Sequence, residues 1–258
     1  MGKLMKYEFR KIRNIALGLL VVTGIAEVGY LIGLLTLNPA RMEDMSDSWL
    51  LTGGILALIA CAVVGVQIIG LISILIFHNE LNTKQCFMLF MTPQNSYQIL
   101  GAKVLENGIS LAASGGLYGG LAIFDLYLLM QKGAVMIDGG AVGTPFGKLI
   151  MQAVAGWTAS EILETIAAVF SLWLIFIVLA FFAVVLPSTF FNGRKGSGWI
   201  SFGIFLALSA AVWKLVSSIQ PPVEGSGART AVHVILALAL SAVFYILSGW
   251  IMDRKLSV

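Results

Sequence analysis

"LTGGILALIACAVVGVQIIGLISILIF" runs from Leu51 to Phe77 and contains no charged residue. A helix needs about 20 mostly apolar residues to cross a bilayer. Buried strands are far shorter than this run. In lipid the backbone must satisfy its own polar groups, so the run is predicted to be a membrane-spanning helix. Gln67 is its one amide side chain.

Working outward, five more runs qualify, giving predicted spans at about 14–37, 51–77, 104–130, 162–187, 199–219 and 230–252. Asn38-Pro39, Gly133, Gly139-Gly140, Pro187 and Pro221-Pro222 mark the breaks between them. The sequence therefore predicts an all-α polytopic membrane protein, one transmembrane domain over residues 1–258, with no soluble domain between spans. Composition agrees: 59% of residues are hydrophobic, 11% are charged and mean hydropathy is +0.94. A soluble domain carries about 25% charged residues. The net charge of +3 gives no reason to expect nucleic acid as a partner.

Lys and Arg set the direction. Lys3, Lys6, Arg10, Lys11, Arg13, Lys84, Lys103, Arg194, Lys195, Arg254 and Lys255 fall on one side. Arg41, Lys132, Lys148 and Arg229 fall on the other. Both termini and the connection at 78–103 are thus expected in the cytoplasm, and the connection at 131–161 outside. The basic N-terminal segment has an apolar run about twice the length of a signal-peptide core, so it reads as a retained first span. Residues 1–13 have an amphipathic pattern: Met1, Met5, Phe9, Ile12 and Ala16 lie on one side of a helical wheel, and Lys3, Lys6, Arg10 and Arg13 on another. That pattern predicts an interfacial helix on anionic lipid before the chain turns into the membrane. A second surface helix is expected in "GTPFGKLIMQAVAGW", with Thr144 as cap and Pro145 in the first turn.

The cytoplasmic connection reads "HNELNTKQCFMLFMTPQNSYQILGAK", His78 to Lys103. Asn82 or Thr83 can cap a short helix holding Phe87, Met88, Leu89 and Phe90. Thr92 can cap a second, with Pro93 in its first position. Aromatic and Met residues beside polar ones suit a protein-binding surface; packing on headgroups or on neighbouring spans is the plainer alternative.

The basic amphipathic start, the six spans and the element Met91-Thr92-Pro93, Ile99-Leu100-Gly101, Lys103 together resemble the type-2 permease family of ATP-binding-cassette exporters. Met91-Thr92 departs from that family's usual order, and Ala102 intervenes before Lys103. The resemblance implies a coupling helix at about 83–97, with Lys84, Phe87, Met88, Phe90, Thr92, Pro93 and Tyr97 meeting a separate ATPase subunit. It also implies a second permease chain, identical or paralogous, ATP and Mg held by the partner subunit, and a cell membrane location, in the bacterial plasma membrane. The expected function is the membrane subunit of an exporter moving an amphipathic or hydrophobic cargo: a peptide, a lipid-like molecule or a drug.

The chain has no nucleotide site of its own. "GGAVGTPFGKL" places Val142 where a phosphate loop needs glycine, and Leu149 where it needs Ser or Thr. The chain itself is therefore not expected to be an enzyme or to bind a cofactor. No His, Cys, Asp and Glu spacing suggests a metal, and Cys61 and Cys86 suggest no disulfide.

A rhomboid-like intramembrane serine protease is the alternative that "AASGGLYGG" raises, with Ser114, His78, Asn82 and His233. Ala112 stands where its signature needs glycine. Helical rise puts Ser114 and His233 about 10 Å apart in depth, beyond the reach of a Ser–His pair. A structural or signalling membrane protein is a further alternative. The glycines have a plainer use: Gly115, Gly116, Gly119 and Gly120, and Gly29 with Gly33, have the spacing that lets helices approach closely.

Ionisable groups within spans cost about 2.5–3.5 kcal/mol on insertion scales. Glu27 is the deepest, and with Tyr30 and Gln67 it forms a candidate substrate path. An internal hydrogen bond or ion pair is the alternative role for Glu27.

Overall fold

The computed structural model describes residues 2–36, 49–83, 95–131, 158–190, 197–219 and 226–255. These form six α-helices: α1 Gly2–Thr36, α2 Trp49–Asn82, α3 Ser96–Gln131, α4 Ala159–Phe190, α5 Ser197–Ser218 and α6 Ser226–Lys255. Each is long and apolar enough to cross a membrane. The protein is thus an all-helical, multi-pass membrane protein by length and composition. Large apolar side chains, among them Ile25, Leu35, Ile123, Leu163 and Ile235, stand exposed on its surface, where only acyl chains suit them.

The helices divide into two compact units. The first comprises Met1–Ile12, Gly70–Ile109 and Ala159–Val258; the second comprises Arg13–Ile69 and Ser110–Thr158.

In the first unit α4 is the central helix. Of its apolar window 61% is buried, against 22% or less in every other helix. A helix apolar on all sides suits such a position. Ile177, Phe181, Val184 and Val185 of α4 close on Phe77 and Leu81 of α2, Leu100 of α3 and Met252 of α6. Phe77 meets Phe181 edge to face, with centroids 5.2 Å apart. The opposite side of α4, Ile175 and Leu179, packs with Ala237 of α6 and with Phe205 and Leu208 of α5.

In the second unit α1 and α2 touch backbone to backbone. A side chain at Gly33 would stand 2.5 Å from the Leu51 nitrogen, and one at Gly54 would stand 2.6 Å from the Tyr30 Cα. Tyr30, Leu34 and Leu51 are buried around this contact.

Three expectations are corrected. Pro187 does not end the fourth span: α4 continues to Phe190, and the Ser188 and Thr189 hydroxyls donate to the Val185 and Leu186 carbonyls there. The interfacial segment and the first span are one unbroken helix, because no residue between Gly2 and Thr36 interrupts the backbone ladder. The close approach expected at Gly115, Gly116, Gly119 and Gly120 is absent among the described residues, where the space beside each is open to 4 Å. Of the pair Gly29 and Gly33, only Gly33 is approached. The surface helix expected from Thr144 and Pro145 lies outside the described residues.

Replacing Gly33 or Gly54 with alanine is expected to destabilise the protein by about 1–3 kcal/mol, the usual cost of overpacking against atoms that cannot move aside. Gly53→Ala, which meets open space, serves as the control. Thermal unfolding of detergent-solubilised protein checks this; equal Tm for all three variants would refute the backbone contact.

Candidate functional site

The connection read from the sequence as cytoplasmic is flanked by α2 and α3. At the end of α2 the Asn82 amide donates to the His78 carbonyl (2.9 Å) and the Thr83 hydroxyl to the Asn79 carbonyl (2.7 Å), both back-bonds onto the last turn. At the start of α3 the Asn95 carbonyl accepts from the Gln98 and Ile99 nitrogens at 2.8 and 3.2 Å. Asn95, not Thr92, is therefore the residue preceding this helix, three positions later than expected. Asn82 is the last residue of α2, and the short helix expected to follow it lies outside the described residues. Lys84, Phe87, Met88, Phe90, Thr92 and Pro93 lie outside the described residues.

Between these flanks sits a buried ring of four charges. Glu8 and Lys11 are one turn apart on α1, Glu80 is in the last turn of α2, and Lys103 is two turns into α3. The Lys103 ammonium lies 3.0 Å from Glu8 and 2.8 Å from Glu80. Lys11 lies 3.0 Å from Glu8 and pairs with Glu80 as well. Charges thus alternate around a closed ring with no net charge. Lys103 is 1% exposed and also stands over the Phe77 ring at 5.3 Å. Burying these ions is costly, and alternation is what makes it tolerable.

The polar column continues inward. The Asn107 amide donates to the Lys103 carbonyl at 3.0 Å and to the Ser73 hydroxyl at 2.8 Å. Glu106, also buried, lies beside the same serine.

α6 grips the same end of α3. The Tyr245 hydroxyl donates to the Tyr97 carbonyl at 2.6 Å, and Asp253 accepts from the Ser96 nitrogen at 3.4 Å. Acidic groups suit a helix start. Gly249 lies directly against the Tyr97 ring, too close for any side chain. Tyr97, expected at an ATPase surface, is therefore half-buried on the chain's own last helix.

Of the membrane-surface residues, Lys6, Arg10 and Arg13 are exposed and Phe9 is half-buried. The Lys3 side chain lies outside the described ones. Sequence reasoning missed Glu8 and Glu80, read Lys11 only as an orienting charge, and read Lys103 as an orienting charge and part of the permease-like element. The Glu8–Lys11 spacing of one turn was the sole signal.

A second group lies within the second unit. Glu27 of α1 and Asp125 of α3 are electrostatic neighbours. The Tyr30 hydroxyl, beside them, donates to the Asp125 carbonyl at 2.9 Å. Both Glu27 oxygens and one Asp125 oxygen are shielded from solvent with no donor among the described residues. Glu27 thus has another acid as its neighbour, and the internal hydrogen bond of its alternative role would need one of the two to be protonated. Gln67 is exposed and does not join them. Ser114 donates to the Ser110 and Leu111 carbonyls of its own helix at 2.7 and 3.1 Å, an ordinary helical back-bond.

Compared with known proteins, the chain matches no family model, no curated protein and no solved structure.

Lys103→Met is expected to cost about 3–5 kcal/mol, because it leaves the buried Glu8 and Glu80 to share the partly exposed Lys11 alone. Adding Glu8→Gln should return part of that loss, while Lys6→Met on the exposed side of α1 changes nothing. Tm values for the three variants check this. A Lys103→Met protein as stable as wild type would contradict the ring.

Proposed function

We propose that this chain is the membrane-spanning permease subunit of an ATP-driven exporter, working with a separate ATPase that docks on the cytoplasmic connection between α2 and α3. The observation that carries the reading is the ion-paired clamp around that connection. A segment that receives a push must be joined to the spans by something stiff. Here both of its flanks, Glu80 and Lys103, share one buried ring with Glu8 and Lys11. Side chains held in alternating ion pairs move together, because separating them exposes uncompensated charge in a low dielectric. Displacement of the connection would then reach α1, α2 and α3 at once, and α6 through Tyr97 and Asp253.

Phe87, Met88 and Phe90, with Lys84, Thr92 and Pro93, are the residues we assign to the ATPase contact. ATP and Mg reside on that partner. A second permease chain completes the transport unit in a bacterial plasma membrane, with both termini in the cytoplasm. The cargo is amphipathic or apolar, since apolar side chains dominate the spans; Glu27 and Tyr30 would meet any polar portion of it.

Purification of the tagged chain with its lipid is expected to bring down a nucleotide-binding protein whose ATP hydrolysis rises when the two are reconstituted together. Phe90→Asp should abolish that association with membrane insertion unchanged. A correctly inserted wild-type chain that neither retains nor stimulates any ATPase would sink this reading.

A further inference from the structure

Away from the ring, α4, α5 and α6 enclose a cavity of about 370 Å³. Leu172, Trp213 and Val234 supply its apolar wall, while Ser217, Thr230 and His233 bring polar groups to it. Ser217 is in the last turn of α5 and Thr230 in the second turn of α6, so both stand at the end where those helices connect. Trp213 lies four residues back along α5 and Val234 four residues further along α6, each about 6 Å deeper by helical rise. His233 beside Val234, and Ser171 beside Leu172 near the middle of α4, bring polar atoms to the deeper level as well.

Its rim reaches the molecular surface, because Leu172 is 52% and Trp213 71% exposed. Ile235, beside Val234, is exposed too, and only acyl chains solvate such side chains in a bilayer. Water does not fill an apolar space of this kind, and an open one in a bilayer does not stay empty. The polar lining selects further. An imidazole always carries at least one N–H and needs an acceptor for it.

We infer that this cavity is a binding site for one bilayer phospholipid, with an acyl chain on Leu172, Trp213 and Val234 and the phosphate or ester oxygens at His233 and Thr230. Ser217 and Thr230 at the helix ends place the lipid in the leaflet on the side of the α5–α6 connection. The site stands apart from the transport reading and needs no ATPase.

The test uses the full chain in nanodiscs of phosphatidylglycerol and phosphatidylcholine carrying a photoactivatable group on one acyl chain. Cross-linked peptides are mapped by mass spectrometry. Labelling concentrated on Leu172, Val216 and Val234, above that on the exposed Leu56 and Val63 of α2, is the expected result. Val234→Trp should fill the cavity and remove the excess. His233→Leu, which leaves the apolar walls intact, should retain about tenfold less phospholipid after delipidating washes, the effect of one hydrogen bond to a charged acceptor. Labelling at the level of the α2 positions overturns the site. So does recovery of free fatty acid alone, or retention of phospholipid unchanged by His233→Leu.

Discussion

Lys103 is the side chain on which the α2–α3 end of the first unit depends. A fully buried ammonium is costly unless several oxygens surround it. Glu8 and Glu80 do so from two different helices, and Lys11 in turn keeps those carboxylates from repelling each other. The result is a neutral cluster built from elements far apart in sequence. Its partners flank the connection from α2 to α3, so the ends of that segment are fixed together before any partner touches it. Asn107, Ser73 and Glu106 extend the polar contact inward, where each unsatisfied group would cost more than in water.

Around this cluster the packing follows from lipid as solvent. Apolar burial gains little when the surroundings are apolar, so close fit and small residues decide where helices meet. α4 is enclosed because its apolar and aromatic side chains interlock with Phe77, Phe205 and Phe244. α1 and α2 meet because Gly33 and Gly54 let their backbones touch. Buried acids follow a different rule. Glu27 and Asp125 face each other with no cation between them among the described residues, unlike the acids of the ring.

The six crossings were legible in the sequence because an uncharged run of that length needs no tertiary information to be read. The ring was not. Lys103 after a polar connection looks the same whether it faces headgroups or two carboxylates, and Glu8 is hidden within a basic segment. Glycine spacing misled for a related reason. Gly115 and Gly119 match the same pattern as Gly29 and Gly33, but the pattern does not say which helix arrives, and only Gly33 meets one. Thr92-Pro93 is a sound capping signal locally, yet the helix starts at Ser96, where Asp253 and Tyr245 of α6 are waiting. Tertiary contacts outweigh a local cap worth about 1 kcal/mol. Tyr97 was assigned outward for its chemistry, and Gly249 turns it inward by leaving room for its ring.

Fold and proposed function join at the membrane sidedness of the α2–α3 connection, since the proposed ATPase would meet the clamp only from the cytosol. With Cys61 and Cys86 replaced, single cysteines at Asn95 and Ile219, both exposed, can be treated with a membrane-impermeant maleimide in intact cells. Modification at Ile219, with Asn95 reactive only after permeabilisation, is the outcome predicted here. Modification at Asn95 in intact cells would invert the topology and remove the clamp from the reach of any cytosolic motor.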